Sequence, residues 1–440
     1  MDAERARLEG VERSAMRKAA WRLLPMIGLG YMIAYIDRVN ISFAAVQMNA
    51  DLGFSATVYG LGAGLFFLSY ALFEVPSNLL LVRYGARRWL ARIMISWGVL
   101  AAGMMFVSTP MHFYIMRLLL GFAEAGFFPG VIYFLTGWFP AAHRGRAISR
   151  FYFTAPLASV VMGAMSGWLL DLDGVADLRG WQWLFLVQGL PAVALGLVFL
   201  AKLPDTPATA QWLSAEERAW IEGALERDSA RVGVPAEHGL VAALRNPMVL
   251  RLGAIGFLTL GAYYAFVLSA PALLTERTSL DIKQVGYVVS AGGVLGVLGM
   301  LFTGWHTDRL GDRFSYLLAS TLTVAAAFAT IALASSPLII LIAYLVFAGA
   351  YMALTLSLWL VLTDTIHVRH LAVGAAAINC LSQLGSFVMP YGWGALRDTT
   401  GGYFTGLMLL PAIFLGAAVI IVLLARRLRR PVLSPALSAA

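Results

Sequence analysis

Five ionisable side chains fall in stretches too apolar to be solvated by water: Asp37, Arg38, Glu74, Arg117 and Glu124. An ion at the centre of a bilayer costs at least ~2.5–3.5 kcal/mol on insertion scales, so one retained there has a partner or a task. Asp37 and Arg38 are neighbours, about 100° apart around a helix, and cannot pair well with each other. Arg117, Gly121 and Glu124 recur at i, i+4 and i+7, which sets both charges on one helix face about 10 Å apart along the axis. That separation is too wide for direct contact. It leaves a gap for Asp37 or a ligand, with Gly121 permitting close approach.

The chemistry on offer is anion capture and proton carriage. The expected arrangement pairs Arg117 with Asp37 and leaves the planar fork of Arg38 for a substrate carboxylate. Burial penalises the charged form of a carboxylate, which makes Glu124, with Asp37, the candidate proton-coupling group. Arg38, Arg117, Asp37 and Glu124 sum to zero charge, and one proton on either acid leaves +1, which a monoanion neutralises. A plainer alternative is that the charges only tie helices together, although small neutral residues do that at lower cost. Glu74, in FEVPSN beside Pro76, lies nearer a span end and reads as structural or gating.

The elements holding these groups follow from composition. The chain has 440 residues, of which 60% are hydrophobic and 13% charged, with 43 glycines. A soluble domain carries roughly 25% charged residues, so a water-facing surface is excluded. Charge-poor runs of helix-spanning length fall at 22–46, 58–82, 89–108, 112–139, 147–170 and 182–201. After a polar stretch they resume at 247–274, 284–304, 315–334, 337–363, 371–396 and 402–425. Runs such as 338–348 are apolar on every side, unlike the alternation of a membrane barrel. The expected fold is all-α, with twelve transmembrane helices in two pseudo-symmetric halves, 22–202 and 247–425. These are flanked by a tail at 1–21, a central loop at 203–246 and a second tail at 426–440. Ser214 and Glu217 have capping-box spacing, which predicts a short amphipathic helix over 214–228.

Basic residues orient the bundle. Of 32 Lys and Arg, two lie deep in spans, four lie in one set of alternate loops, and 26 lie on the other side. The positive-inside rule then places both termini and the central loop in the cytoplasm, in an inner (cytoplasmic) membrane. Topology accounts for the arginines, so no nucleic-acid partner is expected, and RRLRR at 426–430 suits an anionic lipid leaflet. The lone Cys380 excludes a disulfide framework, and no metal, cofactor or enzyme signature is present.

Two loops repeat. Gly304-Trp-His-Thr-Asp308-Arg309-Leu-Gly311-Asp-Arg313 follows the eighth span, and Asn78-Leu-Leu-Leu-Val82-Arg83-Tyr-Gly85-Ala-Arg87 follows the second, 226 residues earlier. Parallel six-span repeats around a central site are a transporter architecture. The glycines permit tight turns and the arginines can bridge helix ends, or serve only as anchors. The second half has no deep charge and offers neutral groups instead: Tyr263 and Tyr264, and Asn379 with Gln383 at i, i+4. Tyr35, three residues before Arg38, is a similar candidate. The pairs Gly60/Gly64, Gly126/Gly130, Gly163/Gly167 and Gly292/Gly296 suit close helix crossings.

The loop pattern G-x3-D-R-x-G-x-R resembles the gating loop of the major facilitator superfamily; the second copy matches it fully, and the first departs at Asn78 and Val82. YIDRVNISFAAVQMNADLGF (35–54), FFLSYALFEVPSN (66–78), GARRWLARIMISWG (85–98), RLLLGFAEAGFFPG (117–130), GWQWLF (180–185) and LPDTP (203–207) together resemble its anion:cation symporters, of the tartrate, 4-hydroxyphenylacetate and phthalate type. The resemblance implies proton-driven uptake of a small organic anion, such as a hydroxy-dicarboxylate or an aromatic acid, by alternating access. It carries substrate and proton-coupling roles onto Asp37, Arg38, Arg117 and Glu124. Pro156 stands where aldonate carriers have a glutamine. The expected partners are the anion, protons and membrane lipid, with a single chain as the working unit. Two other classes stay open: a proton-independent facilitator or exchanger, and a transporter-like sensor that binds without flux.

Overall fold

The computed structural model describes residues 2–232, 245–365 and 368–428. Its regular elements there are all helical. The first part of the chain forms α1 (Asp2–Leu52), α2 (Ala56–Tyr84), α3 (Ala86–Gly103), α4 (Pro110–Glu124), α5 (Phe127–Thr136), α6 (Ala141–Tyr152), α7 (Thr154–Leu170) and α8 (Gly180–Lys202). The surface helix α9 (Ala215–Val232) follows. The remainder forms α10 (Pro247–Val267), α11 (Ala270–Thr278), α12 (Ile282–Leu310), α13 (Arg313–Leu333), α14 (Pro337–Thr365), α15 (Val368–Thr400) and α16 (Phe404–Leu428). Among the described residues, twelve helices or end-to-end helix pairs are long and apolar enough to cross a membrane.

The tail at 1–21 is not a loose segment. It continues span 1 as one helix from Asp2, and its polar face takes up α9. Ser214 and Glu217 cap α9 reciprocally, with the Glu217 N–H donating to Ser214 Oγ at 3.2 Å and the Ser214 N–H donating to Glu217 Oε2 at 2.8 Å. Glu217 also accepts from Ser14 Oγ at 2.7 Å and from Lys18 Nζ at 2.9 Å, and Arg7 pairs with Glu216. Trp212 stacks on Trp138 with ring centroids 5.5 Å apart. The described part of the central loop therefore packs on the first six spans. Residues 233–244 of that loop and 429–440 of the second tail lie outside the described residues.

The linker face carries α9, and the distal face lies opposite it. On the distal side the two groups of six spans are in tight contact, because glycines let backbones meet. A Cβ on Gly60 would lie 2.3 Å from the Pro390 carbonyl oxygen, and one on Gly64 would lie 2.6 Å from that of Phe387, so α2 crosses α15 closely. Gly163 faces the Gly286 carbonyl in the same way, and Gly167 faces Lys283, where α7 crosses α12. Gly126 and Gly130 meet Ser77 and Leu81 of α2, and Gly292 and Gly296 meet Tyr344 and Met352 of α14. Asp398 of α15 reaches across to the first turn of α2, accepting from the Ala56 N–H at 3.0 Å and the Thr57 N–H at 2.8 Å. Tyr59 donates to the Leu268 carbonyl at 2.7 Å, Ser290 donates to that of Val160 at 2.8 Å, and Lys283 pairs with Asp171.

Span 4 is broken. Ala125 leaves the helix at φ −53°, ψ 132°, and Gly126 turns at φ 86°, ψ 0°. Only glycine takes that second conformation without strain, and a Cβ there would also strike Ser77 Oγ at 2.5 Å. Glu124 is thus the last residue of a half-helix. Broken helices at sites within the bundle are a recurring device of secondary transporters.

Candidate functional site

Arg38 projects from α1 toward the end of α4. Its Nε donates to Glu124 Oε1 at 2.7 Å, and its Nη2 lies 2.6 Å from the same oxygen. The Glu124 side chain is fully buried and that of Arg38 is 11% exposed, so the arginine is the member of the pair that meets the cavity. Among the described residues, Glu124 Oε2 is buried without a hydrogen-bond partner. The guanidinium stands 4.8 Å from the centre of the Tyr70 ring, within range for a cation–π contact.

The expected Arg117–Asp37 pair takes a different form. Arg117, 1% exposed, directs Nε to the Gly62 carbonyl at 3.4 Å and Nη2 to that of Ala63 at 3.3 Å, with its guanidinium 4.7 Å from the Phe66 ring centre. The small residues of the Gly60–Gly64 stretch leave that α2 backbone open to the long side chain. Asp37, 3% exposed, accepts from Asn40 Nδ2 at 3.2 Å and has Arg117 among its electrostatic neighbours. The gap beside Glu124 is filled by Arg38 instead of by Asp37. The reason is geometric: α4 stops at Glu124, and the carboxylate swings to the nearest cation on α1.

A cavity of about 140 Å³ lies against Arg38 and is lined from both sets of six spans. Of the residues singled out in the sequence, Tyr35, Arg38, Tyr264, Asn379 and Gln383 line it. Tyr263 is set just outside, stacked on Tyr351 with centroids 4.0 Å apart and planes 10° apart, its hydroxyl 3.4 Å from that of Tyr35. Asp37 and Arg117 stand behind the wall. Glu74 joins the site from α2, since the Asn379 amide donates to both of its oxygens, at 2.8 and 3.0 Å, across the two sets of spans.

The sequence reading missed most of the aromatic lining: Tyr31, Tyr70, Phe128, Tyr152, Tyr351 and Trp359. No periodicity distinguishes a ring facing a cavity from one facing a neighbouring helix. The break after Glu124 was missed as well, although Gly126 and Pro129 in EAGFFPG signalled it. Among the described residues, no group of three or more His, Cys, Asp or Glu is placed to hold a metal ion.

The repeated loops sit on the linker face. Gly85 ends α2 at φ 86°, its N–H donating to the Leu81 carbonyl at 2.9 Å. The Arg87 N–H donates to Asp205 Oδ1 at 2.8 Å, so an acid reaches this copy from just after α8 in place of the one absent at Val82. Arg83 is exposed over Tyr84. In the second copy Gly311 ends α12 at φ 69°, Arg313 pairs with Asp364, and Arg309 lies 4.0 Å from the Trp305 ring centre. Gly304 lies within α12, and the Asp308 side chain lies outside the described residues.

Residues 27–390 match the Major Facilitator Superfamily. The chain belongs to that superfamily. It is 41% identical over 416 residues to a protein of Agrobacterium vitis named "Putative tartrate transporter", covering 94% of this chain and 92% of the relative. It is 37% identical over 419 residues to the quinolone resistance transporter of Acinetobacter baumannii, covering 95% and 96%. The solved xylose transporter XylE of E. coli, in a partially occluded inward open conformation, superposes with a TM-score of 0.75 at 13% identity, covering 92% of this chain and 97% of that one. These likenesses accord with the resemblance to anion:cation symporters. The protein is a multi-pass membrane transporter of the major facilitator fold, not an enzyme.

Proposed function

We propose that this superfamily member is a proton-coupled symporter that takes up a small organic carboxylate by alternating access. The observation that carries the reading is the Arg38–Glu124 pair at the cavity wall. A buried carboxylate stripped of its cation is strongly disfavoured unless it neutralises. When a substrate carboxylate takes the Arg38 fork, Glu124 loses its partner and accepts a proton. The empty site (Arg38⁺ with Glu124⁻) and the fully loaded site (Arg38⁺, substrate anion, neutral Glu124) both carry zero net charge. Each half-loaded state carries a unit charge in a low-dielectric wall, which penalises movement with only one ligand aboard.

The movement itself is relative motion of the spans at 22–202 against those at 247–425. The distal contacts of Asp398, Tyr59 and the glycine crossings close one side, and the loops around Gly85 and Gly311 act on the other. Glu74 and Asn379 join the two sets beside the cavity. The arginine distribution supports a cytoplasmic linker face in the inner membrane. The relatives' names point to tartrate in one case and quinolone resistance in the other at similar identity, so they leave the substrate to the chemistry of the site.

The test is accumulation in proteoliposomes. An inward proton gradient is expected to drive labelled carboxylate above equilibrium, and collapsing the gradient with a protonophore is expected to stop it. Uptake that merely equilibrates and ignores the gradient identifies a facilitator or exchanger instead. Binding without any flux identifies a sensor.

A further inference from the structure

We propose, resting on the carboxylate reading above, that the substrate is an aromatic monocarboxylate bearing a hydrogen-bond donor on its ring, and not a hydroxy-dicarboxylate. Charge comes first. Arg38 is the single cation among the described residues that line the cavity, and none of those residues is a carboxylate. One guanidinium fork matches one carboxylate. A second carboxylate would be stripped of water with no cation to meet it, a strongly unfavourable transfer.

Size and shape point the same way. The cavity is about 140 Å³, close to the roughly 150 Å³ of an apolar protein cavity that takes up benzene. Six rings form much of its wall: Tyr31, Phe128, Tyr152, Tyr264, Tyr351 and Trp359. Aromatic groups offer stacked and edge-on contacts to a flat ring, contacts that a short aliphatic chain cannot match. Tyr70 lies against the guanidinium of Arg38 at 4.8 Å, so the cation is already flanked by a ring where a planar aryl carboxylate would dock.

The remaining polar groups specify the substituent. Thr259 and Ser382 donate their hydroxyl protons to carbonyls of their own helices, at Ile255 and Ile378, both at 2.8 Å. Both residues line the cavity, and with their protons committed their oxygens are left as acceptors. The Asn379 amide nitrogen is committed to Glu74, which turns its carbonyl oxygen away from that acid as a third acceptor. Thr355, also in the wall, likewise donates to the Tyr351 carbonyl at 3.0 Å; these acceptors suit a ring hydroxyl or N–H, while Gln383 and the tyrosine hydroxyls can donate or accept.

The probes are 4-hydroxybenzoate, benzoate and L-tartrate, titrated calorimetrically into the purified full-length chain and its Arg38→Ala and Trp359→Ala variants. Trp359→Phe is carried alongside as the ring-preserving control. The expected result is 4-hydroxybenzoate binding on the order of 100-fold tighter than L-tartrate, whose second carboxylate finds no cation, and about tenfold tighter than benzoate, which lacks one neutral hydrogen bond. Arg38→Ala is expected to abolish that binding. Trp359→Ala is expected to weaken it by about tenfold, with Trp359→Phe restoring most of the loss. Arg38-dependent tartrate binding equal to or tighter than that of 4-hydroxybenzoate overturns the aromatic assignment and leaves the carboxylate reading standing. No binding of any of the three acids, or binding indifferent to Arg38→Ala, overturns both.

Discussion

The two sets of six spans share an architecture and divide the chemistry unequally. The first buries Asp37, Arg38, Arg117 and Glu124 between 0 and 11% side-chain or residue exposure. The second faces the same cavity with Tyr264, Tyr351, Asn379, Ser382 and Gln383, all neutral. The ions thus lie on one side, while both sides contribute rings to the cavity and the second adds neutral hydrogen-bonding groups. Charged pairs are costly to desolvate, and confining them to one rigid set means they need not be rebuilt each time the sets move. Neutral contacts from the other side can form and break across the cavity with a smaller change in electrostatic energy.

That division can be broken at several points. The largest effect is expected for Arg38→Ala, which removes the cavity cation and strands a buried Glu124. Loss of one partner of a buried pair costs about 3–5 kcal/mol, so carboxylate binding and uptake are both expected to vanish, read by calorimetry and by tracer flux. Asn379→Ala removes a neutral contact from the other side. It is expected to weaken substrate affinity by about fivefold, in line with a single hydrogen bond of ~1 kcal/mol, while proton-driven accumulation persists. An equal loss from both variants would erase the distinction between the two sets.

Smaller effects are expected away from the cavity. Asp398→Asn weakens the cap that one set places on the first turn of α2 in the other. A cap is worth about 0.5–2 kcal/mol, so a cysteine at position 57 is expected to react severalfold faster with a membrane-impermeant thiol reagent. The smallest effect concerns Glu217 on α9. Burial pushes its carboxyl up, but hydrogen bonds from Lys18, the Ser214 backbone and Ser14 outweigh this and hold it at about 2. A depressed carboxyl stabilises the docked helix above its ordinary value of 4.5 and loses that contribution as pH falls toward 2. Hydrogen exchange of 214–228 is expected to rise across that window and, in Glu217→Gln, to be already raised and nearly independent of pH.

The sequence exposed the ions more clearly than their partners. Twelve spans follow from apolar length alone, and charges within those spans stand out because membrane burial is costly. The glycine pairs predicted close crossings, and the contacts of Gly60, Gly64, Gly163 and Gly167 bear this out. The capping box at Ser214 and Glu217 was equally readable, being local. Pairing was not. Whether Glu124 meets Asp37 or Arg38 depends on how α1 rotates against α4 and on the break at Ala125 and Gly126, and neither is encoded in spacing along one helix. The aromatic cavity was hidden for the same reason, since helix rotation decides which rings face inward. Asp205 stands out in the sequence only as part of LPDTP, and its engagement of Arg87 depends on the end of α8 returning beside α2.

Coupling turns on Glu124 taking a proton when substrate displaces it from Arg38. The most direct measurement is the number of protons absorbed per carboxylate bound, obtained by calorimetric titration of the purified protein in buffers of differing ionisation enthalpy. Wild-type protein is expected to absorb close to one proton per carboxylate, and Glu124→Gln is expected to bind the same ligand while absorbing none. Binding with no proton uptake in the wild type, or undiminished uptake in Glu124→Gln, would contradict it.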